Sequence, residues 1–174
     1  MAHAIMIPSL VMAKDVDSLN RSFVATVDLD NGNVVNLGAI SSTAGEGEVF
    51  VASTPTAATP TGLYMVGEPE VVMTGSYKGL DPDVRNFYVA SGTIGTCFKI
   101  KKGDIVRLSA DAMSNAVSTN TFVNVQASGK LVWASTSTSA TLFKLLEAVT
   151  IPIGVGYPSQ TRGVAGYRLE AITE

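Results

Sequence analysis

The chain has 174 residues, enough to bury a sizeable core and close to the usual size of one domain. Only 16% of them are charged, against roughly 25% in a typical soluble protein, and 12 lysines and arginines are scattered through a chain of net charge −3. Without a basic stripe to follow a phosphate backbone, nucleic acid is not an expected partner, and the lone Cys97 excludes an internal disulfide or a cysteine-rich zinc site.

Residues 1–21 mix apolar and polar groups without strand alternation, and Pro8 interrupts any helix begun before it. Residues 14–20 are too few for a stable isolated helix. The apolar run 4–13 is broken by Pro8 and Ser9 and falls short of the roughly 20 residues needed to cross a bilayer. Only His3 precedes that run where a secretory signal requires a positive segment, so a cytosolic product with no membrane partner is expected. The segment reads as an extended N-terminal arm that docks on a neighbour, with Ile5, Ile7, Leu10 and Val11 as its interface residues.

Alternation begins at Ser22, with Phe23, Ala25, Val27 and Leu29 on one face of a predicted strand. Asp30-Asn31-Gly32-Asn33 follows, and an Asn-Gly pair suits the two positive φ angles of a tight hairpin, so residues 34–37 are expected to pair back. Residues 48–53 form a further predicted strand, and residues 53–62 a loop, because Pro55 and Pro60 cannot donate to a ladder. Short strands are expected at 63–66, 70–74 and 86–90, with a turn-rich stretch at 75–85.

Residues 94–101 and 105–109 flank Lys102-Gly103-Asp104 as a second predicted hairpin. Residues 121–127 and 130–134 flank Ser128-Gly129 as a third, with Trp133 anchoring a core. Leu142, Leu145, Leu146 and Val149 fit a helical face, so residues 140–150 read as a short helix passing into a strand. Residues 164–172 close the chain as a strand, with Tyr167, Leu169 and Ala171 alternating against Arg168 and Glu170. The expected fold is mainly β: a compact β-barrel or β-sandwich of short antiparallel strands over residues 22–174, its C-terminal third a candidate second lobe.

No constellation for catalysis emerges. Nucleophilic chemistry needs a nucleophile, a base and an orienting group, and the only histidine, His3, lies in the arm. Cys97 sits in an apolar strand where burial raises a thiol pKa and silences it. The run from Asp28 begins like a calcium loop, but glycine comes fifth rather than sixth and Ala39 stands where a bidentate glutamate belongs. Asp81-Pro82-Asp83 fits turn chemistry better than a carboxylate pair. Gly92, Gly95 and Gly103 do not sit between a strand and a helix as a phosphate loop requires, and Tyr77, Phe87, Tyr88 and Phe98 read as core residues. No catalytic residue, metal ligand or cofactor is therefore expected. A charge-poor surface suits lasting contact with other proteins, although a plain β domain has the same composition.

Asp28-Leu29-Asp30-Asn31-Gly32-Asn33-Val34-Val35-Asn36-Leu37-Gly38, then Gly79-Leu80-Asp81-Pro82, then Lys102-Gly103-Asp104-Ile105-Val106 resembles the capsid decoration, or cement, proteins of tailed bacteriophages. The resemblance covers about residues 22–112, and its motifs are short turn signatures; the C-terminal third carries no motif of the family. It implies a β domain on the capsid surface of the virion, made in the host cytoplasm, bound to the major capsid protein. It also implies self-association as a trimer or another small homo-oligomer. The alternative is a glycan- or protein-binding β-sandwich module, such as a phage adhesin or tail-associated domain, with an exposed aromatic near residues 115–120 or 154–161.

Overall fold

A computed structural model of the chain describes residues 3–43, 47–55, 62–67, 73–74, 77–78, 84–115, 121–155 and 161–173. The protein is mainly β. In chain order the strands are β1 (Met6–Leu10), β2 (Asn20–Val24), β3 (Val34–Ile40), β4 (Val49–Ser53), β5 (Tyr64–Val66), β6 (Met73–Thr74) and β7 (Tyr77–Lys78). They continue with β8 (Ile94–Lys99), β9 (Ile105–Ser109), β10 (Phe122–Val125), β11 (Leu131–Ala134), β12 (Thr141–Val155) and β13 (Thr161–Ala171). The described helical segments are single 3₁₀ turns, including Met12–Lys14 and Asp17–Leu19 between β1 and β2.

Five strands close a barrel in the order β2-β4-β3-β5-β8, and six form a sheet in the order β1-β9-β13-β12-β10-β11. All pairs are antiparallel except β2 with β4. The two layers explain why several strands are apolar at consecutive positions. Val35, Val66 and Cys97 point into the barrel beside Phe23 and Leu29, while their neighbours Val34, Met65 and Phe98 point outward. The outward set packs against Val106, Leu108, Leu131, Phe143 and Leu169 of the sheet, so these barrel strands are buried on both faces. The opposite face of the sheet carries the cross-strand row Ile7, Arg107, Arg168 and Glu147, in which Arg168 Nη1 donates to Glu147 Oε1 over 3.1 Å.

The hairpin around Ser128-Gly129 forms as expected, with Val123 opposite Trp133. Its loop is one residue longer than the two-residue type. Gln126 N–H donates to Lys130 O and Gly129 N–H to Gln126 O, a type I turn followed by a glycine at φ 79°. Gly129 O then accepts the N–H of Val34 in the barrel, so this turn is a joint between the layers. Trp133 is buried and meets the edge of Tyr167 at 4.8 Å.

Several other expectations are corrected. The turn at Asn31-Gly32 does not make a hairpin: β2 ends at Val24, and β3 pairs with β4 and β5 instead. Gly32 has φ 86° but among the described residues, Asn31 included, no non-glycine has positive φ, so the two-residue turn with both central angles positive does not form at Asn31-Gly32. The chain's bends at Thr26 and Val27 also leave Val27 exposed, although Phe23, Ala25 and Leu29 are buried as expected. Lys102-Gly103-Asp104 turns the chain, but it carries it from barrel strand β8 to sheet strand β9 rather than pairing them. Residues 141–150 are strand throughout, because β12 is held between β10 and β13; a bulge between Leu145 and Glu147 breaks its alternation and mimics a helical face.

Residues 86–90 are not a strand but the end of a 3₁₀ turn and an isolated bridge from Val89 to Leu29. The loop expected at 53–62 falls outside the described residues at 56–61, as do 68–72, 75–76 and 79–83 of the following segments.

Candidate functional site

The segment read as a free arm is part of the fold. β1 is the edge strand beside β9, with Met6 opposite Leu108. Ile5 N–H donates to Ser109 Oγ at 3.0 Å, and Ser109 N–H returns a bond to Ile5 O at 2.9 Å. Beyond β1, the carboxylate of Asp104 accepts Met12 N–H at 2.9 Å with one oxygen and Lys101 N–H at 2.8 Å with the other. Asp104 itself is buried, and its backbone oxygen accepts Ala171 N–H. At the front of the segment His3 N–H donates to Arg85 O; its Nδ1 lies 2.6 Å from Asp30 Oδ1 and its ring stacks on Tyr88 at 4.7 Å.

These fastenings divide the four predicted interface residues. Ile5 and Val11 are 3% and 6% exposed and belong to the protein's own interior, so they present nothing to a neighbour. Ile7 is half-buried opposite Arg107, and Leu10 is 63% exposed. The structure adds two residues that pattern reading passed over. Met12 and Val16 are exposed a few residues after Leu10, so three large apolar side chains are exposed within seven residues of sequence, interspersed with the exposed Lys14, Asp15 and Asp17. Their only sequence signal was an apolar excess that alternates irregularly, because two successive 3₁₀ turns obey neither the strand nor the helix period.

Next to this patch lies an open groove of about 330 Å³ between β1 and the barrel. Met6, Pro8, Val11, Ala13, Gly67 and Phe98 line most of it, with Lys14 its charged lining residue. Gly67 keeps the groove open at its base: a Cβ there would lie 2.8 Å from Met6 Cε and 3.1 Å from Phe98 Cε1. Apolar walls with a few polar groups are the usual make-up of a surface that takes up an apolar segment.

The residues weighed for chemistry are occupied elsewhere. Cys97 is buried in the barrel 3.6 Å from Arg21 O, and burial pushes its thiol up to about 12 while the nearby Arg21 charge pulls the other way. His3 engages Asp30 and Tyr88 rather than Cys97. Asp28 Oδ1 accepts Ser91 N–H, and Asp30 faces His3, so the two carboxylates that opened the calcium-like run serve local structure. Among the described residues no three His, Cys, Asp or Glu side chains converge as a metal site would require. Asp81 and Asp83 lie outside the described residues. Phe87 and Phe98 are buried as expected, whereas Tyr88 is 41% exposed, with the His3 ring stacked on it.

No protein family, curated protein or solved structure matches the chain. The patch and groove therefore stand on their own geometry. Among the described residues no helix is long and apolar enough to cross a membrane.

Proposed function

We propose that this chain is a structural virion protein that binds the outside of a phage capsid and reinforces contacts between major capsid subunits. The observation that carries this reading is the apolar patch of Leu10, Met12 and Val16 beside the groove under β1. An exposed cluster of large apolar residues with a polar rim marks a protein-binding surface, and the low overall charge lowers the desolvation penalty of a lasting contact. The turn series that resembles decoration proteins supplies the identity of the partner.

Deleting residues 2–12 would be a poor test, because it removes β1 and the buried Ala4, Ile5, Met6 and Val11 along with the patch. The double substitution Leu10→Asp and Met12→Asp spares the core, since both side chains are exposed. It should leave the melting temperature nearly unchanged, surface changes costing about 0.5 kcal/mol or less, and reduce co-sedimentation with assembled heads at least about tenfold. Binding at the wild-type level would remove the patch from the contact. Failure of the wild-type protein to bind any head would remove the capsid reading itself.

A glycan-binding role draws on one feature, the exposed Tyr88 ring backed by His3 and Asp30. Retention on immobilised glycans that is lost in Tyr88→Ala would favour it.

A further inference from the structure

The outer face of the six-stranded sheet carries an arrangement that stability alone would not select. Arg107 of β9 and Arg168 of β13 stand directly opposite each other across the ladder. Cβ atoms so placed are about 5 Å apart, and like charges in that position destabilise a sheet. Both side chains point away from the core, because the residues that alternate with them, Val106, Leu108 and Leu169, are buried in it. In a chain with only 16% charged residues, two facing cations are a conspicuous use of charge.

The acids on this face do not resolve the repulsion. Glu147 accepts Nη1 of Arg168 at 3.1 Å, which leaves Nε and Nη2 of Arg168 without an acceptor among the described residues. Glu170 lies one row along, with Ile105 on one side and Lys144 on the other. Arg107 is exposed, and among the described residues no carboxylate, hydrogen-bond acceptor or aromatic ring engages its side chain. Arg107, Arg168 and Lys144 thus face two carboxylates, so this face is locally cationic in a chain of net charge −3. Ile7, opposite Arg107, and Ile105, two residues along the same strand, are half-buried and border the free guanidinium with apolar surface.

We propose that the Arg107–Arg168 pair is a docking point for an acidic polypeptide segment, whose carboxylate sits between the two guanidinium groups while its apolar neighbours rest on Ile7 and Ile105. A carboxylate there replaces repulsion with two charge-assisted contacts, and the planar guanidinium fork matches the spacing of carboxylate oxygens. The inference rests on the reading of this chain as one that binds proteins, but it does not require the capsid as partner. It is tested without heads, so its failure is separate from failure of the capsid reading.

Nuclear magnetic resonance titration of the isotope-labelled full chain with a capped Leu-Glu-Glu-Leu peptide reads the site directly. The amides of Ile7, Arg107 and Arg168 should shift to saturation, and the Leu-Gln-Gln-Leu peptide should leave them unmoved. Salt at about 1 M, where the screening length is about 3 Å, should suppress the shifts. Arg107→Gln should weaken peptide binding at least about tenfold without lowering the melting temperature. Arg107→Glu should abolish binding and raise the melting temperature, because it sets opposite charges across the ladder. An acidic peptide that moves no amide near the pair, a glutamine peptide that moves them equally, or an Arg107→Gln protein that binds like wild type would each overturn the proposal. So would inorganic phosphate that saturates the same amides more tightly than the peptide, which would make this a small-anion site. A lowered melting temperature in Arg107→Glu would assign Arg107 to the fold and overturn the proposal as well.

Discussion

Replacing Asp104 by alanine should cost the fold more than its single position suggests. Asp104 is 4% exposed, and its two oxygens hold the backbone N–H groups of Met12 and Lys101, residues almost ninety positions apart in sequence. Hydrogen bonds to a charged group contribute about 1.5–3 kcal/mol each, and removing the acceptor leaves both donors short of a partner. Water can reach the half of this site nearest the exposed Met12, so we take the lower end for each and expect a loss of about 3 kcal/mol. At about 2–4 °C per kcal/mol for a domain of this size, the melting temperature should fall by about 6–12 °C. Asp104→Asn keeps one carbonyl acceptor but turns an NH₂ toward a donor, so it should fall between wild type and alanine. Calorimetry gives the shift, and native hydrogen exchange should show the amides of Met12 and Lys101 losing protection together. A drop below about 2 °C, or an asparagine variant no better than alanine, would refute the clamp and leave β1 held by its ladder alone.

The joint between layers makes a second prediction. Gly129→Ala places a side chain at φ 79° and a Cβ 2.6 Å from Val34 O, so it should destabilise by at least about 2 kcal/mol, read as an earlier midpoint in urea. Cys97 should resist alkylation in the native protein at pH 8 and react on unfolding, since burial holds the thiol neutral. Because its folded pKa is raised from 9.0 to about 12, its contribution to stability is fully present below pH 9 and is lost as pH rises toward 12; Cys97→Ser should flatten that alkaline decline in denaturation midpoints. The Leu10→Asp, Met12→Asp pair completes the set, separating surface contact from core stability.

The elements legible in the sequence are those with one wet face. β13 alternates Leu169 and Ala171 against half-exposed Arg168 and Glu170, and β10 with β11 brackets a glycine turn. Where a strand is buried on both sides the period-2 signal vanishes, as at Val34-Val35, Met65-Val66 and Cys97-Phe98, and pairing partners cannot be told from pattern. Turn glycines marked reversals of direction correctly, yet Gly32 and Gly103 each feed a strand that pairs elsewhere, because a turn fixes local geometry and not the long-range partner. The arm was misread for a related reason: Pro8 belongs at a sheet edge, where its missing donor costs nothing, but in isolation it signals only the lack of a helix. Of the predicted contact residues only Leu10 is well exposed, since burial of Ile5 and Val11 depends on Ser109 and Asp104, about a hundred residues downstream.

That distance sets an order for events during synthesis. Ile5 is bound to a side chain 104 positions later, so at about 5–20 residues per second the first strand leaves the ribosome roughly 5–20 seconds before its partner exists. The barrel, whose strands lie between Asn20 and Lys99, has all of its own pairing partners within that interval. β1 is thus made before its partner and placed late, waiting with Ile5, Met6 and Val11 uncovered until β9 emerges and the Asp104 carboxylate closes over Met12.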